Sequence, residues 1–102
     1  MARSISLTIP HRLTQQEVRN RISKGITDAQ REHAGKFSKL DHQWKDNHLS
    51  FDVGILGQTI TGAVDVNPSD VVVNIDLPWM LAAFADKIRP QIKAQAEKLL
   101  TP

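Results

Sequence analysis

The feature that most narrows the folds open to this chain is a run of period-two alternation from Leu40 to Leu77, interrupted by turn signals that fix how each segment pairs with the next. Leu40, His42 and Trp44 alternate with polar residues up to Asp46-Asn47, and Leu49, Phe51, Val53 and Ile55 alternate after it. Successive side chains of a strand point to opposite faces, and a two-residue turn sets the register. The pattern therefore predicts a hairpin in which Trp44 faces Leu49, His42 faces Phe51 and Leu40 faces Val53. A loop around Gly57 leads to Ile60, Gly62, Val64 and Val66, and Asn67-Pro68-Ser69-Asp70 then turns the chain into Val71, Val73, Ile75 and Leu77. One face is apolar throughout. The other carries Asp41, Gln43, Ser50, Asp52, Thr59, Thr61, Asp65, Asn74 and Asp76, so the sheet needs covering on one side only.

The flanking segments supply the cover. Ile5, Leu7 and Ile9 alternate with Ser4, Ser6 and Thr8 as a first strand that Pro10 ends. Thr14 and Glu17 have the capping-box spacing, and Leu13 is placed to staple against Val18, so a helix starts at about Gln15. Its apolar stripe is Val18, Ile22, Ile26, Ala29 and His33, with Gly35 as a stop. After Pro78, Leu81, Phe84, Ala85, Ile88, Ile92, Ala96 and Leu99 form the stripe of a terminal helix, and Pro90 predicts a kink between Asp86 and Pro90. The expected fold is α+β, in the order β-α-β-β-β-β-α, with one antiparallel sheet and two amphipathic helices packed on one face. That arrangement resembles a reduced helix-grip domain. It leaves the first or second strand as an uncovered edge suited to self-association.

With 102 residues, a hydrophobic share of 40% and a charged share of 24%, the chain fits one globular domain spanning 1–102. It has no cysteine, which excludes disulfides, thiolate metal sites and cysteine nucleophiles and suits a reducing cytoplasm. The longest apolar stretch, Trp79 to Ala85, falls far short of the roughly 20 residues of a membrane span, and the first residues alternate like a strand and lack the apolar block of a signal peptide. A cytoplasmic protein, not an integral membrane protein, is expected. Its net charge of +2 does not call for a nucleic acid partner.

No catalytic motif is present. Asp41 is set opposite Asp52, a like-charge pair that solvent and nearby lysines can relieve and that could otherwise hold a cation. His11, His33, His42 and His48 never occur at a metal-binding spacing. His42 lies on the apolar face opposite Phe51, where it could serve as an acid or base in a pocket, but with no nucleophile placed near it a hydrogen-bonded core histidine is expected. Gly57 to Gly62 lacks the Gly-Lys-Ser/Thr ending of a phosphate loop and leads into a strand. Neither a cofactor nor a metal is implied. Pro78-Trp79-Met80-Leu81 concentrates large apolar groups where sheet meets helix, and packs as core or stands out as a contact patch.

The stretch Trp44-Lys45-Asp46-Asn47-His48-Leu49-Ser50-Phe51, then Gly57 and Gly62, then Leu77-Pro78-Trp79-Met80-Leu81, resembles the polyhydroxyalkanoic acid system protein family. His11-Arg12-Leu13 before a charged helix matches too, as do Ile88 and Ile92 in the closing basic helix. Pro90, within the final helix, and Leu77-Pro78, where a Leu-Gly step is common, depart from the family pattern. The resemblance implies a small bacterial cytoplasmic protein linked with polyhydroxyalkanoate storage granules, of unestablished activity and without catalytic residues to carry over.

Two functional expectations follow. In the first, the protein is non-enzymatic and granule-associated or regulatory, and a patch of Trp79, Met80, Leu81 and Phe84, flanked by Lys87, Arg89, Lys93 and Lys98, meets the granule surface or a granule protein. In the second, it carries a small hydrophobic ligand between the sheet and the C-terminal helix, in a pocket lined by His42, Trp44, Phe51 and Val64, with Phe84 alongside. A homodimer, formed through the exposed sheet face or through an uncovered edge strand, is compatible with both.

Overall fold

The computed structural model describes residues 3–32, 35, 39–55 and 57–101. The elements run β1 (Arg3–Pro10), α1 (Gln15–Glu32), β2 (Lys39–Lys45), β3 (His48–Ile55), β4 (Gln58–Val66), β5 (Asp70–Leu77), a 3-10 turn (Ala82–Phe84) and α2 (Ala85–Leu99). The five strands form one antiparallel sheet in the order β1-β5-β4-β3-β2, so the fold is α+β as expected.

The β2–β3 and β4–β5 hairpins have the register that their turns dictate. Trp44 pairs with Leu49, His42 with Phe51 and Leu40 with Val53. Asp46 makes the turn by adopting a φ of 54°, a left-handed conformation that Asp tolerates better than most residues. At the β4–β5 turn the Asn67 backbone N–H donates to the Asp70 carbonyl at 2.9 Å, and the Asn67 side-chain amide donates to the Asp70 carboxylate at 2.7 Å. The long-range step is β1, which returns beside β5 with Ile5 opposite Ile75, Leu7 opposite Val73 and Ile9 opposite Val71.

α1 begins where its cap residues place it: the Thr14 hydroxyl accepts from the Glu17 N–H at 3.1 Å. Only half of the capping box forms, because the Glu17 carboxylate pairs instead with Arg21, one turn on. Leu13 and Val18 both join the core, and Val18 is fully buried. α2 runs unbroken across Pro90, which as the sixth helical residue removes a single hydrogen bond near the helix start. Arg21 ties the helices together by donating to the Leu99 carbonyl at 3.2 Å and to the Thr101 carbonyl. The core lies between these helices and the apolar face of the sheet, centred on Ile9, Val18, Leu49, Val66 and Leu77. His33, the expected last residue of the α1 stripe, lies outside the described residues.

Candidate functional site

The Pro78 to Phe84 junction is shaped by two buried anchors. Leu77 closes β5 at 1% exposure and Ala85 opens α2 at 2%. Between them Pro78 cannot continue the strand ladder. The chain instead coils through successive tight turns, with Leu81 N–H on the Pro78 carbonyl, Ala82 N–H on that of Trp79 and Phe84 N–H on that of Leu81. Three-residue turns cannot direct every large side chain inward. Leu81 packs against the core. Trp79, Met80 and Phe84 stand out at 70%, 51% and 49% exposure.

These three are the large apolar side chains that the fold leaves exposed among the described residues. The Gln58 amide at the start of β4 lies 3.3 Å from the Met80 sulfur, so the patch borders the β3–β4 turn. Exposed Lys87 and Arg89 follow on α2. Four apolar residues close in sequence thus divide into one core anchor and a surface trio. Lys93 and Lys98 are also exposed but lie further along α2, and Lys93 is 4.0 Å from Glu97.

The residues expected to line a pocket are spread over different environments. Val64 is buried in the sheet core. Trp44 is half-buried under α1, where its indole N–H donates to the Ser23 hydroxyl at 3.0 Å and the Arg19 guanidinium sits 5.4 Å from the ring centre. Phe51 and His42 border a hollow of about 150 Å³ with Asp41, Gln43, Ser50 and Asp52. The largely apolar concavity lies elsewhere, a groove of about 570 Å³ between α1 and α2 bordered by Ile22, Ile26, Leu40, Ile88, Ile92 and Leu99 among others. None of Trp44, Phe51, Val64 and Phe84 lines it.

His42 corrects one expectation. Its backbone is on the apolar side as the alternation requires, but it belongs to an edge strand with a neighbour on one flank only, and its side chain is exposed. Among the described residues the buried histidine is His11, at 7% exposure. Its Nδ1 accepts from the Leu13 N–H at 3.1 Å, so the ring proton belongs on Nε2, which lies 2.9 Å from the Asn67 carbonyl. That bridge fastens the end of β1 to the β4–β5 turn. The capping sequence that follows His11 gave no indication of it, because the contact spans 56 positions.

On the polar face, Asp41 opposes Asp52 as expected, and the Lys39 ammonium lies 3.6 Å from Asp41. Thr61 separates Asp52 from Asp76, whose carboxylate accepts from the Ser4 hydroxyl at 2.6 Å. His48 pairs with Asp65 across β3 and β4. No group of three or more potential metal ligands converges among the described residues.

A family model described as "Putative polyhydroxyalkanoic acid system protein" matches residues 5–100, a span that contains β2 to β5, most of β1, both helices and the exposed trio. No curated protein and no solved structure matches the chain significantly.

Proposed function

The chain belongs to the polyhydroxyalkanoic acid system protein family, and from that premise we propose that it is a non-enzymatic cytoplasmic protein that associates with the polyhydroxyalkanoate granule through Trp79, Met80 and Phe84. The observation that carries this reading is the exposure of three large apolar side chains on one short, hydrogen-bonded turn between two buried anchors. A storage polymer of hydroxyalkanoate esters offers an apolar, weakly polar surface without deep pockets. A small projecting patch suits such a surface, since it gains by removing apolar area from water without requiring shape complementarity.

The geometry of the turn supports the role in a second way. Side chains on a rigid turn lose less conformational freedom on contact than side chains on a mobile loop. Indole and thioether groups are also well adapted to an interface that is apolar on one side and wet on the other. Lys87 and Arg89 would sit at the rim of the contact, with their charged heads in water.

Granules purified from polymer-making cells provide the test. The protein should pellet with them at concentrations where a Met80→Ser, Phe84→Ser variant stays in the supernatant. Retention of the unaltered protein in the supernatant, beside a coat protein that does pellet, would contradict the proposal.

A further inference from the structure

The two edges of the sheet are built differently. Hydrogen-bond phase follows from two contacts: His11 N–H donates to the Ser69 carbonyl in line with the β1–β5 register, and Val66 N–H donates to the Asn47 carbonyl in line with β3–β4. In an antiparallel ladder, residues that exchange hydrogen bonds alternate with residues whose backbone groups point away. Ile5, Leu7 and Ile9 therefore bond to β5, while Ser4, Ser6 and Thr8 turn their N–H and C=O groups outward. On β2 the outward residues are Leu40, His42 and Trp44.

The β2 edge is guarded. The Gln30 amide of α1 donates to the Leu40 carbonyl at 3.0 Å, and Lys39, Asp41 and Lys45 place charges along the strand. Charged side chains and covering groups are how proteins prevent strand addition. No charged residue stands on β1 itself from Ser4 to Thr8, although Lys93 and Glu97 of α2 share a hollow with Thr8 and Pro10 at the end of the strand. All three outward residues are exposed, and no backbone partner for their outward groups exists among the described residues. Beyond them Pro10, which has no N–H, ends the usable edge.

We propose that the β1 edge is where a second copy of this chain joins the sheet, antiparallel and two-fold symmetric about Ser6. This register pairs Ser6 with the partner's Ser6 and Ser4 with the partner's Thr8, so every outward group of the edge is used in three mutually bonded pairs. Shifting the axis by one residue toward Pro10 pairs Ser4 with a residue that cannot donate. The faces match as well. Ile5 meets the partner's Leu7 on the apolar side, and only small hydroxyl side chains meet on the polar side. An isologous contact of this kind closes as a dimer and leaves the guarded β2 edges at the two ends of a ten-stranded sheet. The pairing is independent of granule contact, because the exposed trio lies on the turn after β5.

Absence of native cysteine makes the register directly testable. Opposed Cα atoms of a hydrogen-bonded antiparallel pair lie about 5.5 Å apart, within disulfide range. Ser6→Cys should cross-link to its own copy under mild oxidation, while Ser4→Cys, whose symmetry mate is roughly 14 Å away at strand spacing, should not. The unaltered protein should sediment at twice its 11.4 kDa chain mass, and Ser6→Pro or Ser6→Lys should return it to one chain mass with the same circular dichroism. A sedimenting mass of one chain at all concentrations, equal cross-linking of the Ser4 and Ser6 variants, or an undisturbed dimer in both Ser6→Pro and Ser6→Lys would overturn the proposal.

Discussion

The Phe51 ring lies across Gly62, its directly opposed partner on β4, so closely that a Cβ placed on Gly62 would fall 2.3 Å from Phe51 Cζ. An aromatic ring laid over a strand glycine restores the burial that the missing side chain would have supplied. The ring has room to move outward, because Phe51 is only partly buried, but the Asn74 carbonyl at 2.9 Å from the same Cβ position is backbone. Gly62→Ala should therefore destabilise the fold by about 1–3 kcal/mol, the usual cost of overpacking. Combining it with Phe51→Ala should cost less than the two single changes added together, since one of the clashes then disappears. Urea unfolding of the four proteins measures this coupling.

His11 predicts a second stability effect. His11→Phe keeps most of the ring volume but removes the acceptor for the Leu13 N–H and the donor to the Asn67 carbonyl. A buried group left without its partner costs about 1–3 kcal/mol, and thermal unfolding of a domain of this size moves by roughly 4–8 °C per kcal/mol. Nitrogen-15 correlation spectra of the unaltered protein should show the Nε2–H tautomer. A Nδ1–H tautomer would contradict the assigned bridge.

Arg19 and Trp44 make a third case, in which two effects oppose each other. The guanidinium over the indole contributes about 0.5–1 kcal/mol, but its buried Nε has no hydrogen-bond partner among the described residues. Arg19→Met removes both the attraction and the unsatisfied donor, so stability should change by less than about 1 kcal/mol. Ser23→Ala should cost about 0.5–1.5 kcal/mol by removing the indole's acceptor, and it should cost little more in a Trp44→Phe background. Chemical denaturation of each variant tests these signs.

The alternation and the turn residues specified most of the fold. Asp46-Asn47 fixed the Trp44–Leu49 pairing, and Thr14 placed the start of α1, because both are local constraints read over a few residues. Period-two alternation assigns a face but not a depth. His42 was therefore placed on the correct side of the sheet and wrongly expected in the core, since its exposure depends on β2 being the outermost strand. The return of β1 to β5, the His11 bridge and the groove between the helices are long-range outcomes that no short window encodes. For the Pro78 to Phe84 junction, the concentration of apolar residues was legible. Its division into a buried Leu81 and an exposed trio depends on the turn geometry set by Leu77 and Ala85.

Granule contact by Trp79 is tested most directly on the residue itself. In a Trp44→Phe variant, Trp79 is the sole tryptophan, and at 70% exposure it should emit near the wavelength of free indole and be strongly quenched by iodide. Addition of purified polyhydroxyalkanoate granules should shift its emission to shorter wavelength and protect it from iodide, with saturation at high granule content. Unchanged emission and undiminished quenching at granule concentrations that pellet a known coat protein would contradict the account.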